Sequence, residues 1–395
     1  MVVSVNHEFF FKGTIPASKS IMNRLLVCRS HFPDMIISGE SRCDDVVLMT
    51  KAIQDLAKGR TSLHCGSAGT VLRFLAGRVS RIEGEFRLNG SERLLSRPQQ
   101  DFINVMNQLG VVTRLMSDHL MIQSKGWRWD SDKILVERSK SSQFLSSLLL
   151  NAWGLDKDIL FYWQGDIVSD GYLQMTINSL KTLGMNLEEK GNSIFVAKNQ
   201  KIKVNHTHAE SDLSSAFAVA AIAVVAGEAV LENFPFGSLQ PDRAFVEILK
   251  SMKVNLEIFS NRLIVKKTDK LQAVEWSLND CPDLFPVLAV LCSVAEGKSK
   301  LYDAPHLGYK ESDRLNKTAE LLTKMGKKFE IIKGGMIIDG NPNHSLTQFT
   351  YDTDEDHRLA FAAGLAKRIG YDIDVIHPQV VSKSFPEFWD IQGER

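Results

Sequence analysis

The chain has 395 residues, more than one hydrophobic core usually organises, so two domains are expected. Its 44% hydrophobic and 24% charged residues are those of a globular protein and exclude a largely disordered chain. The 47 Lys plus Arg balance 47 Asp plus Glu, so bulk charge points to no nucleic-acid or membrane partner. Any affinity for anions must come from cations gathered locally.

In chain order, Met1–Phe11 alternates as a strand does and lacks a basic stretch followed by an apolar core, so no export signal is expected. The polar cluster Ala17-Ser18-Lys19-Ser20 then runs into apolar Ile21–Val27, which predicts a helix with a polar start. The same arrangement returns at Gly66-Ser67-Ala68-Gly69-Thr70 before Val71–Ala76 and at Lys140-Ser141-Ser142-Gln143 before Phe144–Leu150. It returns again at Ser211–Ser215 before Ala216–Ala226, at Asp280–Asp283 before Leu284–Val294, and at Asp356-His357-Arg358 before Leu359–Ala366. From Gly69 onward these starts recur about every 70 residues, as copies of one supersecondary unit would. Between them Glu85–Gly90, Ile159–Trp163, Ser193–Val196, Arg262–Val265 and Gly335–Ile338 read as strands, which makes the class α/β or α+β. The uncharged run Leu213–Gly227 is too short to span a membrane and reads as a buried helix. Cys28, Cys43, Cys65, Cys281 and Cys292 form no CxxC pair and read as buried or free thiols of a reducing compartment.

Helix starts rich in Ser, Gly, Lys and Arg suit anions, because the first N–H groups of a helix lack partners and carry partial positive charge. Ser20 and Arg24 stand four apart beside Lys19, so this start can hold an anion or serve as a solvated basic turn. The small residues Gly66–Thr70 let backbone N–H groups approach an anion closely, but the Gly-Lys-Ser/Thr close of a P-loop is absent. Arg73 and Arg78 in the following helix read as structural or solvated. Lys310 and Arg314 flank Glu311, which allows anion binding with proton transfer, or an ordinary surface charge run. Asp356-His357-Arg358 offers a guanidinium fork for a carboxylate, or a capped start with exposed charges. Asp283, ahead of a strongly apolar helix, reads as a base or as a cap. Together the starts imply two domains whose helix N-termini face a shared cleft for a highly anionic ligand set.

Eight strings in order resemble the enolpyruvyl transferases, in particular those that act on shikimate 3-phosphate. They are Ala17-Ser18-Lys19-Ser20 with Asn23-Arg24, Ala68-Gly69-Thr70 with Arg73, Ser96-Arg97-Pro98, and Ser141-Ser142-Gln143-Phe144. Then follow Asp212 with Ser214-Ser215-Ala216, Lys310-Glu311-Ser312-Asp313-Arg314, Asp356-His357-Arg358 and Lys383-Ser384-Phe385-Pro386. The resemblance implies two similar lobes, each of three βαβαββ units: 17–209, and 210–395 completed by the N-terminal strand in 1–16. It implies transfer of the enolpyruvyl (carboxyvinyl) group of phosphoenolpyruvate to the 5-hydroxyl of shikimate 3-phosphate, through a tetrahedral ketal that loses phosphate. No metal or organic cofactor is required, and the enzyme is expected to be cytoplasmic and monomeric.

Carried over motif by motif, Lys19, Ser20, Arg24, Ser141, Ser142, Gln143, Ser169, Tyr172, Asp283 and Lys310 would bind shikimate 3-phosphate. Lys19, Gly69, Arg97, Gln143, Arg314, Arg358 and Lys383 would bind phosphoenolpyruvate. Asp283, Glu311, Lys19 and His357 would serve the acid/base steps. The chain departs from the family pattern at Ser67 (usually Asn), Gly308 (usually Arg), His306 (Asn in some members) and Asp170-Gly171 (commonly Lys-Pro). Two other readings are a transferase acting on a UDP-amino sugar and a catalytically weak anion-binding homologue. The first typically uses a mobile-loop Cys, and Gly90–Asp101 contains none; the second is opposed by the presence of both Asp283 and Glu311. Charge alone further predicts that Lys19, Arg24, Arg97, Lys310, Arg314, Arg358 and Lys383 repel without ligands, so anions would close an open form.

Overall fold

The apolar runs that follow the polar starts become the inner helices of the fold in a computed structural model, which describes residues 8–165, 167–343 and 347–393. Contacts divide the chain into two units: Ala17–Glu210, and the segment up to Pro16 together with the chain from Ser211 onward. The expected N-terminal strand is Phe9–Gly13; the rest of that reading, in residues 1–7, lies outside the described residues.

Four sheets share one construction. In the 17–210 unit, Ser62–His64 and Gly84–Asn89 pair in parallel, and His119–Ser124 and Val112–Leu115 extend the sheet antiparallel. Ile134–Leu135, Ile159–Tyr162, Ser193–Val196 and Leu187–Lys190 repeat that order. In the other unit the same order appears in Phe9–Gly13, Gly227–Glu232, Arg262–Lys266 and Asn255–Ile258. It appears again in Glu275–Ser277, Gly297–Tyr302, Gly335–Gly340 and Lys328–Ile332. Each unit also has a parallel pair: Ile36–Ser38 with His206–His208, and Gln348–Asp352 with Asp372–Ile376. This is the α/β class read from the sequence, and the spacing of about 70 residues corresponds to one sheet with its helices.

One inner helix belongs to each sheet. Lys19–His31, Gly69–Val79 and Gln143–Leu150 pack together in one unit; Leu213–Ala226, Phe285–Cys292 and His357–Ile369 do so in the other. A helix apolar on all sides must be enclosed, and Leu213 through Val224 are all buried. Each fully buried Leu, Ile or Phe side chain contributes roughly 1.5–3 kcal/mol. Among the described residues no helix is long and apolar enough to cross a membrane.

The chain leaves and re-enters the larger unit at a double crossing. The Asp212 N–H donates to the Pro16 carbonyl at 2.9 Å, so the N-terminal strand leads spatially into the Leu213 helix. The Ser18 N–H donates to the Glu210 carbonyl at 2.7 Å, so the His206–His208 strand leads likewise into the Lys19 helix. Gly227 permits the first register, since a Cβ there would lie 1.9 Å from the Phe9 carbonyl oxygen.

Candidate active site

In the 17–210 unit the starts of Lys19–His31, Gly69–Val79 and Asp170–Thr182 carry no side-chain cap, and at Gln143–Leu150 the first N–H donates to Ser141 Oγ at 3.2 Å. Ser18 is a good capping residue type, yet its Oγ is buried with no hydrogen-bond partner among the described residues. Lys19, in the first turn and buried, donates from Nζ to Asp45 Oδ2 at 3.0 Å.

Arg24 ties two of these helices together. Its Nε donates to Thr176 Oγ1 at 2.7 Å, Nη1 to the Ser20 carbonyl at 2.7 Å, and Nη2 to the Tyr172 carbonyl at 3.2 Å. Burial pulls its pKa down to about 10, which leaves the guanidinium charged at neutral pH. Ser20, Arg24 and Tyr172 therefore form one linked set.

Arg73 builds a second set. It is buried over the Phe144 ring, and its Nη1 donates to Gln143 Oε1 at 2.7 Å and Ser141 Oγ at 3.4 Å. Its Nε and Nη2 reach Gln99 Oε1 and the Pro98 carbonyl at 3.4 and 3.3 Å. Of the two readings left open for Arg73, the structure selects the structural one and makes it the side chain that orients Ser141 and Gln143. Arg78 is likewise engaged, with Ser30. Ser142 is buried beside them, and Ser169 adopts a left-handed backbone with φ of 54°.

Gly69 and Arg97 make the third set. A Cβ at position 69 would lie 2.8 Å from Arg97 Nη1, so the bare glycine is what lets the guanidinium sit there. Arg97 Nε is buried with no hydrogen-bond partner among the described residues.

The other unit gathers its charges around Arg314, which is fully buried. Arg314 Nε donates to Asp356 Oδ2 at 2.8 Å, Nη1 to Asp283 Oδ1 at 2.7 Å and Nη2 to Glu311 Oε2 at 3.0 Å. Lys310 Nζ and Arg358 Nη2 each approach Asp283 to 3.5 Å. Burial alone would raise the Asp283 pKa, but Arg314, Lys310 and Arg358 outweigh it and hold this carboxyl far below the usual carboxylate range. Burial opposes the charge of Arg314 too; Asp356, Asp283 and Glu311 overcome that and raise its pKa. The surface-charge-run reading of Lys310–Arg314 is thus excluded, and Asp283 is an ion-paired base candidate, whereas Asp356 is both cap and counterion.

Arg358 is buried, with Nε and Nη1 lacking hydrogen-bond partners among the described residues. His357 is buried with its ring edge-on to Phe361, and Lys383 is buried at the end of the turn Pro378–Lys383. His306 is buried as well; burial first, then Lys310 and Arg314, push its pKa down to about 3. A neutral imidazole offers one donor and one acceptor, the kinds of group a side-chain amide also presents. Among the described residues no three His, Cys, Asp or Glu side chains gather as a metal ion would need.

The expectation of mutual repulsion among the cations needs correction. Lys19 faces Asp45, and Lys310, Arg314 and Arg358 share Asp283, so these four are offset by carboxylates of their own unit. Sequence reasoning also missed Asp45 and the orienting role of Arg73. The acidic pair Asp44-Asp45 at a helix start was visible, but nothing in the sequence joins it to Lys19.

A family model for EPSP synthase (3-phosphoshikimate 1-carboxyvinyltransferase) matches residues 14–391. A 3-phosphoshikimate 1-carboxyvinyltransferase of Methanococcus maripaludis is 34% identical, over 82% of this chain and 77% of that protein. The protein of that name from Archaeoglobus fulgidus is 29% identical, over 96% of this chain and 94% of its own. Among solved structures, EPSP synthase from Acinetobacter baumannii matches with a TM-score of 0.73 at 21% identity, covering 98% of this chain and 96% of that one. The enolpyruvyl transferase NikO from Streptomyces tendae matches at 0.70 and 14% identity, covering 98% and 94%. At these identities the two structures attest to the fold.

Proposed function

The chain belongs to the EPSP synthase family, and we infer that it transfers the enolpyruvyl group of phosphoenolpyruvate to the 5-hydroxyl of shikimate 3-phosphate, releasing phosphate. The observation that best supports a catalytic rather than a merely binding protein is Asp283, an ionised carboxylate at the focus of Lys310, Arg314 and Arg358, with Glu311 on the same guanidinium.

In this reading Ser20, Arg24, Ser141, Ser142, Gln143, Ser169 and Tyr172 receive shikimate 3-phosphate, with Lys310 assisting. Lys19, Gly69, Arg97, Arg314, Arg358 and Lys383 receive phosphoenolpyruvate. Uncapped helix starts and hydroxyls suit a phosphate ester, and buried guanidinium groups suit a planar carboxylate.

The 5-hydroxyl oxygen adds to C2 of phosphoenolpyruvate as its proton passes to Asp283. The methylene carbon C3 takes a proton from Glu311, which enters the step in its acid form, with Lys19 sharing that role and His357 adjacent in sequence to the phosphoenolpyruvate-binding Arg358. The resulting ketal then breaks its C2–O bond to phosphate, C3 returns a proton to Glu311, and the proton held by Asp283 leaves with phosphate. A carboxylate held so far below its ordinary pKa is a weak base. An anionic ligand that draws Arg358 and Lys310 onto itself weakens their hold on Asp283 and raises its pKa toward the value that accepting a proton needs. We also assign the chain to the cytoplasm as a monomer, a reading supported for the compartment by its five buried, unbridged cysteines.

Replacing Asp283 with Ala tests the assignment. Turnover should fall by about 10²–10⁴-fold, while affinity for shikimate 3-phosphate changes far less. Turnover that survives the replacement would remove Asp283 from the chemistry. A parent protein that binds both substrates without releasing phosphate would favour the anion-binding reading.

A further inference from the structure

Arg138 belongs to none of the sets above, yet it is a buried guanidinium, 1% exposed, in the segment between the Ile134–Leu135 strand and the Gln143–Leu150 helix. Its loop is pinned by Glu137, whose carboxylate accepts the N–H groups of Arg138 and Ser139, both at 2.9 Å. The guanidinium stacks on the Trp163 ring at 4.6 Å, and its Nη2 donates to Asp170 Oδ1. Its Nε is buried with no hydrogen-bond partner among the described residues. Asp170 is the first residue of the Asp170–Thr182 helix and follows Ser169, whose left-handed backbone is costly for a residue that is not glycine.

We propose that Arg138 is a positioning residue for the acceptor's phosphate: it neutralises Asp170 at the Ser169–Tyr172 corner that receives that phosphate. The inference rests on the functional reading above. An acidic residue in the first turn suits the helix dipole, but a bare carboxylate adjacent to Ser169 repels the dianion that Ser169 and Tyr172 are to hold. Arg138 removes that conflict. Held by the Glu137-pinned loop and the Trp163 ring, it stays beside Asp170 and offsets its charge. The effect falls on shikimate 3-phosphate, because Arg138 and Asp170 stand at the Ser169–Tyr172 corner, bonded to each other and packed with Trp163 and Gln174.

The test is steady-state kinetics of phosphate release by the full chain with Arg138→Met, Asp170→Asn and the double variant, each beside the parent. Arg138→Met should raise KM for shikimate 3-phosphate about 10- to 100-fold, with kcat and KM for phosphoenolpyruvate changed by less than about 3-fold. Adding Asp170→Asn should recover most of that loss, since it removes the charge that Arg138 no longer offsets. Asp170→Asn alone, at a half-exposed position, should leave shikimate 3-phosphate bound as tightly as in the parent, or more tightly. An unshifted KM in Arg138→Met, equal shifts for both substrates, or no recovery in the double variant would overturn the proposal. Should Arg138→Met not fold, a weakened acceptor KM in Asp170→Asn alone overturns it instead. A parent that shows no shikimate 3-phosphate-dependent release fails the functional reading itself, which separates the two failures.

Discussion

The two units begin their helices differently. In the 17–210 unit the starts at Lys19, Gly69 and Asp170 carry no side-chain cap, while Ser141 and Ser91 hydroxyls accept at Gln143 and at Glu92–Ser96. In the other unit carboxylates do the capping: Asp212, Asp313 and Asp356 accept from Ser215 N, Asn316 N and Arg358 N, while the Phe245 and Phe285 helices carry no cap. The first unit brings helix starts, hydroxyls and backbone together with Lys19, Arg24 and Arg97. The second offers guanidinium groups already balanced by carboxylates, which is an arrangement that can exchange protons as well as bind charge.

The largest effect that distinguishes them should come from Asp356. Replacing it with Ala removes a cap and a partner of fully buried Arg314, so unfolding free energy in denaturant titration should fall by about 3–5 kcal/mol. Next come two cap positions measured side by side by the same method. Asp212→Ala should cost about 1–2 kcal/mol, whereas Ser18→Ala should change stability by less than about 0.5 kcal/mol because its hydroxyl caps nothing. Equal costs at the two positions would erase the contrast.

Acid titration of stability sharpens the picture further. Burial, first among the causes, pushes His31 and His306 down to about 3 in the folded chain. Below about pH 6.5 the unfolded chain takes up protons that the folded chain refuses, so stability falls with pH, by up to about 1.4 kcal/mol per unit for each group. His306→Asn should remove one group's share of that slope. Gly69→Ala is expected to stay within about 1 kcal/mol of the parent. It must shift Arg97, so KM for phosphoenolpyruvate should rise several-fold while thermal stability holds.

Much of this fold was legible in the chain because a polar start followed by an apolar run is a local pattern. Lys19–His31, Gly69–Val79 and His357–Ile369 fall where that pattern places helices. The αβ class followed from the strands between them. What sequence could not supply was pairing. Lys19 and Asp45 are 26 residues apart, and Arg24 and Thr176 are 152 apart, so counting cations predicted repulsion where the fold supplies partners. Arg73 was ambiguous for the same reason: a guanidinium in an apolar helix becomes an orienting group only when Ser141 and Gln143 arrive from another sheet.

The central claim is that both units serve one reaction on two anions. Its most direct test is phosphate release from phosphoenolpyruvate, measured with shikimate 3-phosphate as acceptor and, in parallel, with a UDP-amino sugar. Release that depends on shikimate 3-phosphate and is absent with the UDP-amino sugar is the expected result. Release with the UDP-amino sugar instead, or none with either acceptor from folded protein, would contradict it.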